Sequence, residues 1–128
     1  MVNLRRVLFV CESNLHRSPT AERLYSITPG IKSRSAGLSS SAHVQVTGES
    51  LAWADTVILM EKRLRIALQL RFSTELSAKE LICLKIPDDF RFGEAELVTF
   101  TDRLTSIIGP PVLKPELFDV VSPHASPI

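Results

Sequence analysis

Apolar side chains along the chain alternate between two spacings, one suited to strands and one to helices. Residues 4–10 close on the unbroken run Val7-Leu8-Phe9-Val10, which fits a strand buried on both faces. Ser18-Pro19 then opens a helix to about residue 27, with Ser18 at the N-cap and Pro19 in the first helical position. Ala21, Leu24 and Tyr25 share one face of that helix. After the Pro29-Gly30 turn, residues 31–36 form a short strand ending at Gly37. A polar stretch over 38–48 leads into a short helical segment at 49–54, and residues 56–60 are a third strand. A helix over 62–72 turns Leu64, Ala67 and Leu68 inward, and residues 81–86 are a fourth strand stopped by Pro87. Residues 94–108 repeat apolar side chains at Leu97, Phe100, Leu104 and Ile107, a helical period with acids in the first turn.

Strands alternating with helices imply an α/β fold, a parallel sheet of four strands with helices on both faces in a three-layer sandwich. Such sheets bind ligands beyond the carboxyl ends of their strands, where the strand order reverses. Residues 109–128 carry Pro110, Pro111, Pro115, Pro123 and Pro127. They read as a tail lying over the surface or partly disordered, leaving one domain over 1–108.

Composition narrows the function. The chain has 128 residues, is 45% hydrophobic and carries a formal net charge of +1, which suits a single core and argues against a nucleic-acid binder. No apolar run approaches the ~20 residues of a membrane helix, and the run ending at Val10 is too short for a secretion signal. Two cysteines, Cys11 and Cys83, read as thiols of a reducing compartment, so the expected location is the cytoplasm, away from membranes. The charge is uneven. Residues 1–36 hold Arg5, Arg6, Arg17, Arg23, Lys32 and Arg34 against Glu12 and Glu22, whereas acids dominate residues 75–102.

The chemistry concentrates in Cys11-Glu12-Ser13-Asn14-Leu15-His16-Arg17-Ser18-Pro19. A cysteine leaves the first strand, a short loop follows, and an arginine precedes a helix. Loop amides and a helix N-terminus form a site for a tetrahedral oxyanion, and Arg17 can clamp two of its oxygens. The same positive field favours the thiolate of Cys11, which places a nucleophile beneath a bound phosphate.

This segment resembles the signature of the low-molecular-weight protein tyrosine phosphatases, C-x-x-N-x-x-R-S-P after an apolar strand, matched by Cys11, Asn14, Arg17, Ser18 and Pro19. Ser35-Ala36-Gly37 resembles the family's second-strand S-A-G, and Ala54-Asp55 with residues 57–61 resembles its third-strand segment. Ile86-Pro87-Asp88-Asp89-Phe90 is similar to its acid loop. The resemblance spans residues 4–108 and implies a flavodoxin-like strand order 2-1-3-4. It implies that Cys11 is the nucleophile, Arg17 the phosphate clamp and Asp88 the general acid, with Asp89 the alternative. Asn14 would hold the loop, and the Ser18 hydroxyl would hydrogen-bond the thiolate. Glu12, Ser13, Leu15 and His16 would complete the phosphate-binding loop, and Phe90 would wall an aryl group. No metal or other cofactor is implied.

Some positions depart from the family pattern. Ser13 replaces a common glycine, so a strained positive φ is expected there. Glu12 sets a carboxylate at the rim, expected to discourage very acidic substrates. His16 stands where many members have a second cysteine, removing the partner for an oxidised nucleophile. Asp89 replaces the acid-loop proline, and the chain is shorter between Gly37 and Ala54, where the family builds part of its pocket wall. Leu15 points to aryl phosphates, since members acting on phosphoarginine resemble one another in having threonine there.

Simpler roles fit other residues. Cys83, Trp53 and Phe100 read as core, His43 and His124 as surface, and Arg63, Arg65 and Arg71 as the wet face of their helix. The reading is a phosphomonoester hydrolase acting through phosphocysteine on a phosphorylated protein or small aryl phosphate, with inorganic phosphate as product. One rival is a phosphate-binding module without turnover. Another is arsenate reduction on the same fold, which needs further cysteines where only Cys83 is available.

Overall fold

A strand that is apolar at successive positions has to be covered on both sides, and the architecture follows from that requirement. The computed structural model describes residues 4–15, 17–85 and 94–112. Strand β1 (Arg5–Cys11) is buried from Val7 to Cys11. It pairs in parallel with β2 (Ile31–Gly37) on one side and β3 (Thr56–Leu59) on the other, and β3 pairs in parallel with β4 (Glu80–Cys83). The order β2-β1-β3-β4 is the expected 2-1-3-4, and it places the reversal of strand order between β1 and β3.

Successive side chains of the sheet enter two cores. Val7, Phe9, Cys11, Ile58 and Met60 pack with Ala21, Leu24, Phe100 and Leu104, so α1 (Arg17–Leu24) and α4 (Glu94–Ile108) cover one face. Leu8, Val10, Val57 and Leu59 pack with Leu51, Leu64 and Leu68, so α2 (Gly48–Trp53) and α3 (Arg63–Leu76) cover the other. The three-layer sandwich is therefore as anticipated.

Several details differ from the sequence reading. Helix α1 begins at Arg17, so Ser18 is its second residue and not its cap, and Pro19 is its third. It stops at Leu24, ahead of the expected residue 27; Ser26 Oγ donates to the Arg23 carbonyl, and Pro29 lies just beyond. Helix α3 continues past Phe72, whose φ of −135° and ψ of 39° break the helix, because a further turn carries Leu76 into the core. Trp53 is only half-buried and lies under the Arg34 guanidinium, 4.1 Å from its carbon to the ring centre. Arg71 is not simply solvated, since it donates to the Leu38 carbonyl at 2.9 Å. Cys83 is half-buried against the α2–α3 core rather than fully enclosed.

The chain leaving α4 is tied to the end of α1. Tyr25 Oη donates to the Gly109 carbonyl at 2.7 Å, and the Val112 amide donates to Thr28 Oγ1 at 2.8 Å. The rest of the Pro-rich segment, residues 113–128, lies outside the described residues. Burial pushes the Tyr25 phenol up from 10.0 to about 12. The unfolded chain releases that proton at lower pH than the folded one does. Stability from this group is therefore complete below pH ~10 and declines as pH rises towards the folded value. Urea denaturation of the wild type is expected to show this alkaline decline. Tyr25→Phe should flatten it while costing about 1 kcal/mol at neutral pH for the lost hydrogen bond.

Candidate active site

The site is built where β1 ends, beside the reversal of strand order. Cys11 is the last residue of β1, and its side chain points to the α1 face with 1% of its surface exposed. Its Sγ lies 2.9 Å from Ser18 Oγ and accepts the Asn14 amide at 3.1 Å. Ser18 Oγ accepts Asn14 Nδ2 at 2.9 Å. The hydroxyl proton then has two acceptors, the sulfur at 2.9 Å and the more distant Ala36 carbonyl at 3.5 Å. Ser18 thus serves the thiol from inside the first helical turn. The helix start presents this hydroxyl to the sulfur, and capping plays no part.

The direction of the loop's amides follows from its carbonyls. Leu38 N–H donates to the Cys11 carbonyl, Ser39 N–H to that of Glu12 and His43 N–H to that of Ser13, at 2.9 to 3.1 Å. In a trans peptide the N–H points opposite to the preceding C=O. The amides of Glu12, Ser13 and Asn14 therefore turn away from residues 38–43, and the bond from Asn14 to Sγ shows that this is the sulfur's side. Successive N–H groups turned one way form an anion-binding concavity. The region expected to have lost a pocket wall is thus the backing of the loop.

Two residues make this packing sterically feasible. Gly37 closes β2 against the loop, and a Cβ there would lie 2.5 Å from Ala42 Cβ, 2.8 Å from the Glu12 carbonyl oxygen and 2.9 Å from the Asn14 nitrogen. Asn14 takes the left-handed conformation at φ 57°. The expectation of a positive φ at Ser13 is therefore corrected by one residue, in favour of a type that tolerates it better. Asn14 Oδ1 also accepts the Val44 amide at 3.1 Å, so this one residue joins the sulfur through its backbone amide and the helix and backing segment through its side chain.

Arg17 is 3% exposed, and its Nη1 donates to Glu61 Oε1 at 2.7 Å. Arg63 Nε donates to the other oxygen of Glu61, and Arg63 Nη1 reaches Glu12 Oε1 at 2.9 Å. Glu12, followed by Glu61, holds the Arg63 guanidinium above its ordinary value. Charge alternates along Arg17, Glu61, Arg63 and Glu12. The Glu12 carboxylate expected to repel acidic substrates is therefore offset by Arg63, a residue read from sequence as merely solvated. Glu61 and Arg63 are the members that sequence reasoning missed. A signal existed, because a buried arginine needs a carboxylate and Glu61 closely follows the apolar third strand.

Leu15 is 60% exposed. His16, Asp88, Asp89 and Phe90 lie outside the described residues. Cys83 stands opposite Leu59, across β3 from β1, and faces the other side of the sheet from Cys11.

No protein-family model matches the sequence, and no curated protein matches it significantly. Solved structures do. The YwlE arginine phosphatase from Geobacillus stearothermophilus superposes with a TM-score of 0.61 at 23% identity, over 80% of this chain and 86% of that one. A YwlE mutant from Bacillus subtilis gives a TM-score of 0.61 at 21% identity, over 80% of this chain and 92% of that one. The chain shares their fold. At the level of fold, this bears out the resemblance to the low-molecular-weight protein tyrosine phosphatases.

Two substitutions separate backbone strain from hydrogen bonding at Asn14. Asn14→Gly keeps the positive φ and loses the side-chain bonds to Ser18 and Val44, whereas Asn14→Ala loses both. Chemical denaturation is expected to show about 1–2 kcal/mol lost for glycine and roughly 1 kcal/mol more for alanine.

Proposed function

We propose that the chain is a cysteine-dependent phosphomonoester hydrolase of the low-molecular-weight protein tyrosine phosphatase type, acting on a phosphorylated protein or small aryl phosphate. The observation that carries this reading is the environment of Cys11: a buried sulfur facing a hydroxyl and an inward amide, at the start of a helix that begins with arginine. A thiolate so placed is stabilised by donors and lies at the floor of a concavity suited to a tetrahedral dianion.

The reaction divides into two in-line displacements. Cys11 Sγ attacks phosphorus, forming an S–P bond as the bond to the leaving oxygen breaks. Asp88, or Asp89 in its place, donates a proton to that oxygen. Water then attacks the phosphocysteine, giving its proton to the same carboxylate, and inorganic phosphate leaves as the thiolate is restored. Loop amides and Arg17 balance the charge that builds on the equatorial oxygens. The aspartate's proton transfers are worth ~10²–10⁴-fold.

Hydrolysis of an aryl phosphate by the wild type, abolished in Cys11→Ser, is the expected outcome. Loss of about 10²-fold or more should follow from Asp88→Asn, with Asp89→Asn near wild type. The reverse pattern would move the acid by one residue. Binding of aryl phosphate without turnover would support the phosphate-binding module instead. Arsenate reduction gains nothing from Cys83, since β1 and β4 are separated by two strand spacings of ~4.8 Å and a disulfide needs Cα atoms within ~7 Å.

One observation favours a second substrate class. A similar solved structure is an arginine phosphatase by name, and its substrate would offer a P–N bond to the same nucleophile. Leu15, exposed in the loop that follows the nucleophile, supports the aryl class through its apolar surface. Phosphate release from a phosphotyrosine peptide is expected to exceed that from the matched phosphoarginine peptide. The opposite ranking would reassign the substrate and leave the mechanism intact.

A further inference from the structure

We propose that Glu61 is a positioning residue for turnover, which fixes the Arg17 guanidinium at the angle the transferring phosphoryl group requires and weakens its hold on bound phosphate. This rests on the proposed function, in which Arg17 is the phosphate clamp.

The carboxylate is anchored as such a role demands. Glu61 follows β3 at the edge where β1 delivers Cys11, and the Met60 amide donates to the Val10 carbonyl at 2.9 Å just before it. One of its oxygens holds Arg17 Nη1 and the other holds Arg63 Nε, so the group cannot rotate without breaking a charge-assisted bond. Arg63 in turn grips Glu12, the residue after the nucleophile. The guanidinium is thereby referenced to the sheet edge and to the loop. A long flexible side chain gains a fixed direction, and small misplacements of catalytic groups cost large factors in rate.

Glu61 also places a negative charge 2.7 Å from the arginine that would bind phosphate. That charge offsets part of the attraction between Arg17 and any bound dianion. Its removal therefore has two opposed consequences. Phosphate binds more tightly in the ground state, and turnover slows because the clamp loses its angle. A residue that merely supports folding would not produce this split.

The test compares wild type, Glu61→Gln, Arg17→Lys and the double variant in aryl phosphate hydrolysis, with inorganic phosphate as competitive inhibitor. Thermal melting establishes the folded fraction. Glu61→Gln is expected to lower kcat about tenfold and to lower KM and the phosphate inhibition constant by roughly two- to fivefold. In the Arg17→Lys background the same change should alter kcat by less than about twofold, because the effect passes through the guanidinium. Equal losses in both backgrounds, or a wild-type kcat in Glu61→Gln, would overturn the proposal. If Glu61→Gln does not fold, Arg63→Ala carries the test, since it frees one carboxylate oxygen and leaves the buried pair. A several-fold fall in kcat is expected there, and an unchanged kcat would overturn the proposal. A wild type that neither hydrolyses aryl phosphate nor binds inorganic phosphate would fail the proposed function, and this inference with it.

Discussion

Peptide groups have two ends, and a loop that turns successive N–H groups inward must send the matching carbonyls the other way. Those of Cys11, Glu12 and Ser13 cannot be left bare against protein without a cost of about 1–3 kcal/mol each. The amides of Leu38, Ser39 and His43 meet them, and the surrounding construction serves that requirement. Gly37 lets the second strand come close enough, and the Val44 amide fastens Asn14 in its left-handed conformation. Among the described residues, no buried side-chain nitrogen or oxygen lacks a hydrogen-bond partner.

The sheet supplies the platform. The end of β1 sits between two parallel neighbours, which fixes the height of Cys11 relative to Gly37 on one side and to the end of β3 on the other. Its two faces are filled by separate apolar clusters, so the strand cannot slip by one residue without exchanging both sets of side chains. Rigidity at the sulfur is thus inherited from packing well below it. The alternating charges of Arg17, Glu61, Arg63 and Glu12 carry the same rigidity outward to the rim.

Much of this was legible in the order of residues. The apolar run into Cys11, the spacing to Arg17 and the strand–helix alternation define the sheet, the loop and the place of the proposed nucleophile, because each depends on neighbours close in sequence. The position of the positive φ was displaced by one residue, since it is set by where residues 38–44 grip the loop rather than by the loop's own composition. The residue pattern makes Ser18 a helix cap and the resemblance makes it a partner of the thiolate; the start of α1 at Arg17 removes the first role, while Ser18 Oγ lies 2.9 Å from the sulfur. The partnership of Arg17 with Glu61 spans 44 positions and arises from the parallel register of β1 and β3, which periodicity does not encode. Asp88 and Asp89 rest on the resemblance and on the substitutions that would distinguish them.

The dependence of the loop on residues 38–44 also bears on how the protein comes into being. The sulfur and its donors acquire their arrangement only after a segment about thirty positions downstream has docked, together with the strand that leads into it. Contacts of that span close late in folding, because the intervening chain must be ordered first. A nascent or partly unfolded chain consequently carries a thiol without these hydrogen bonds, and the sulfur gains them only with the finished domain.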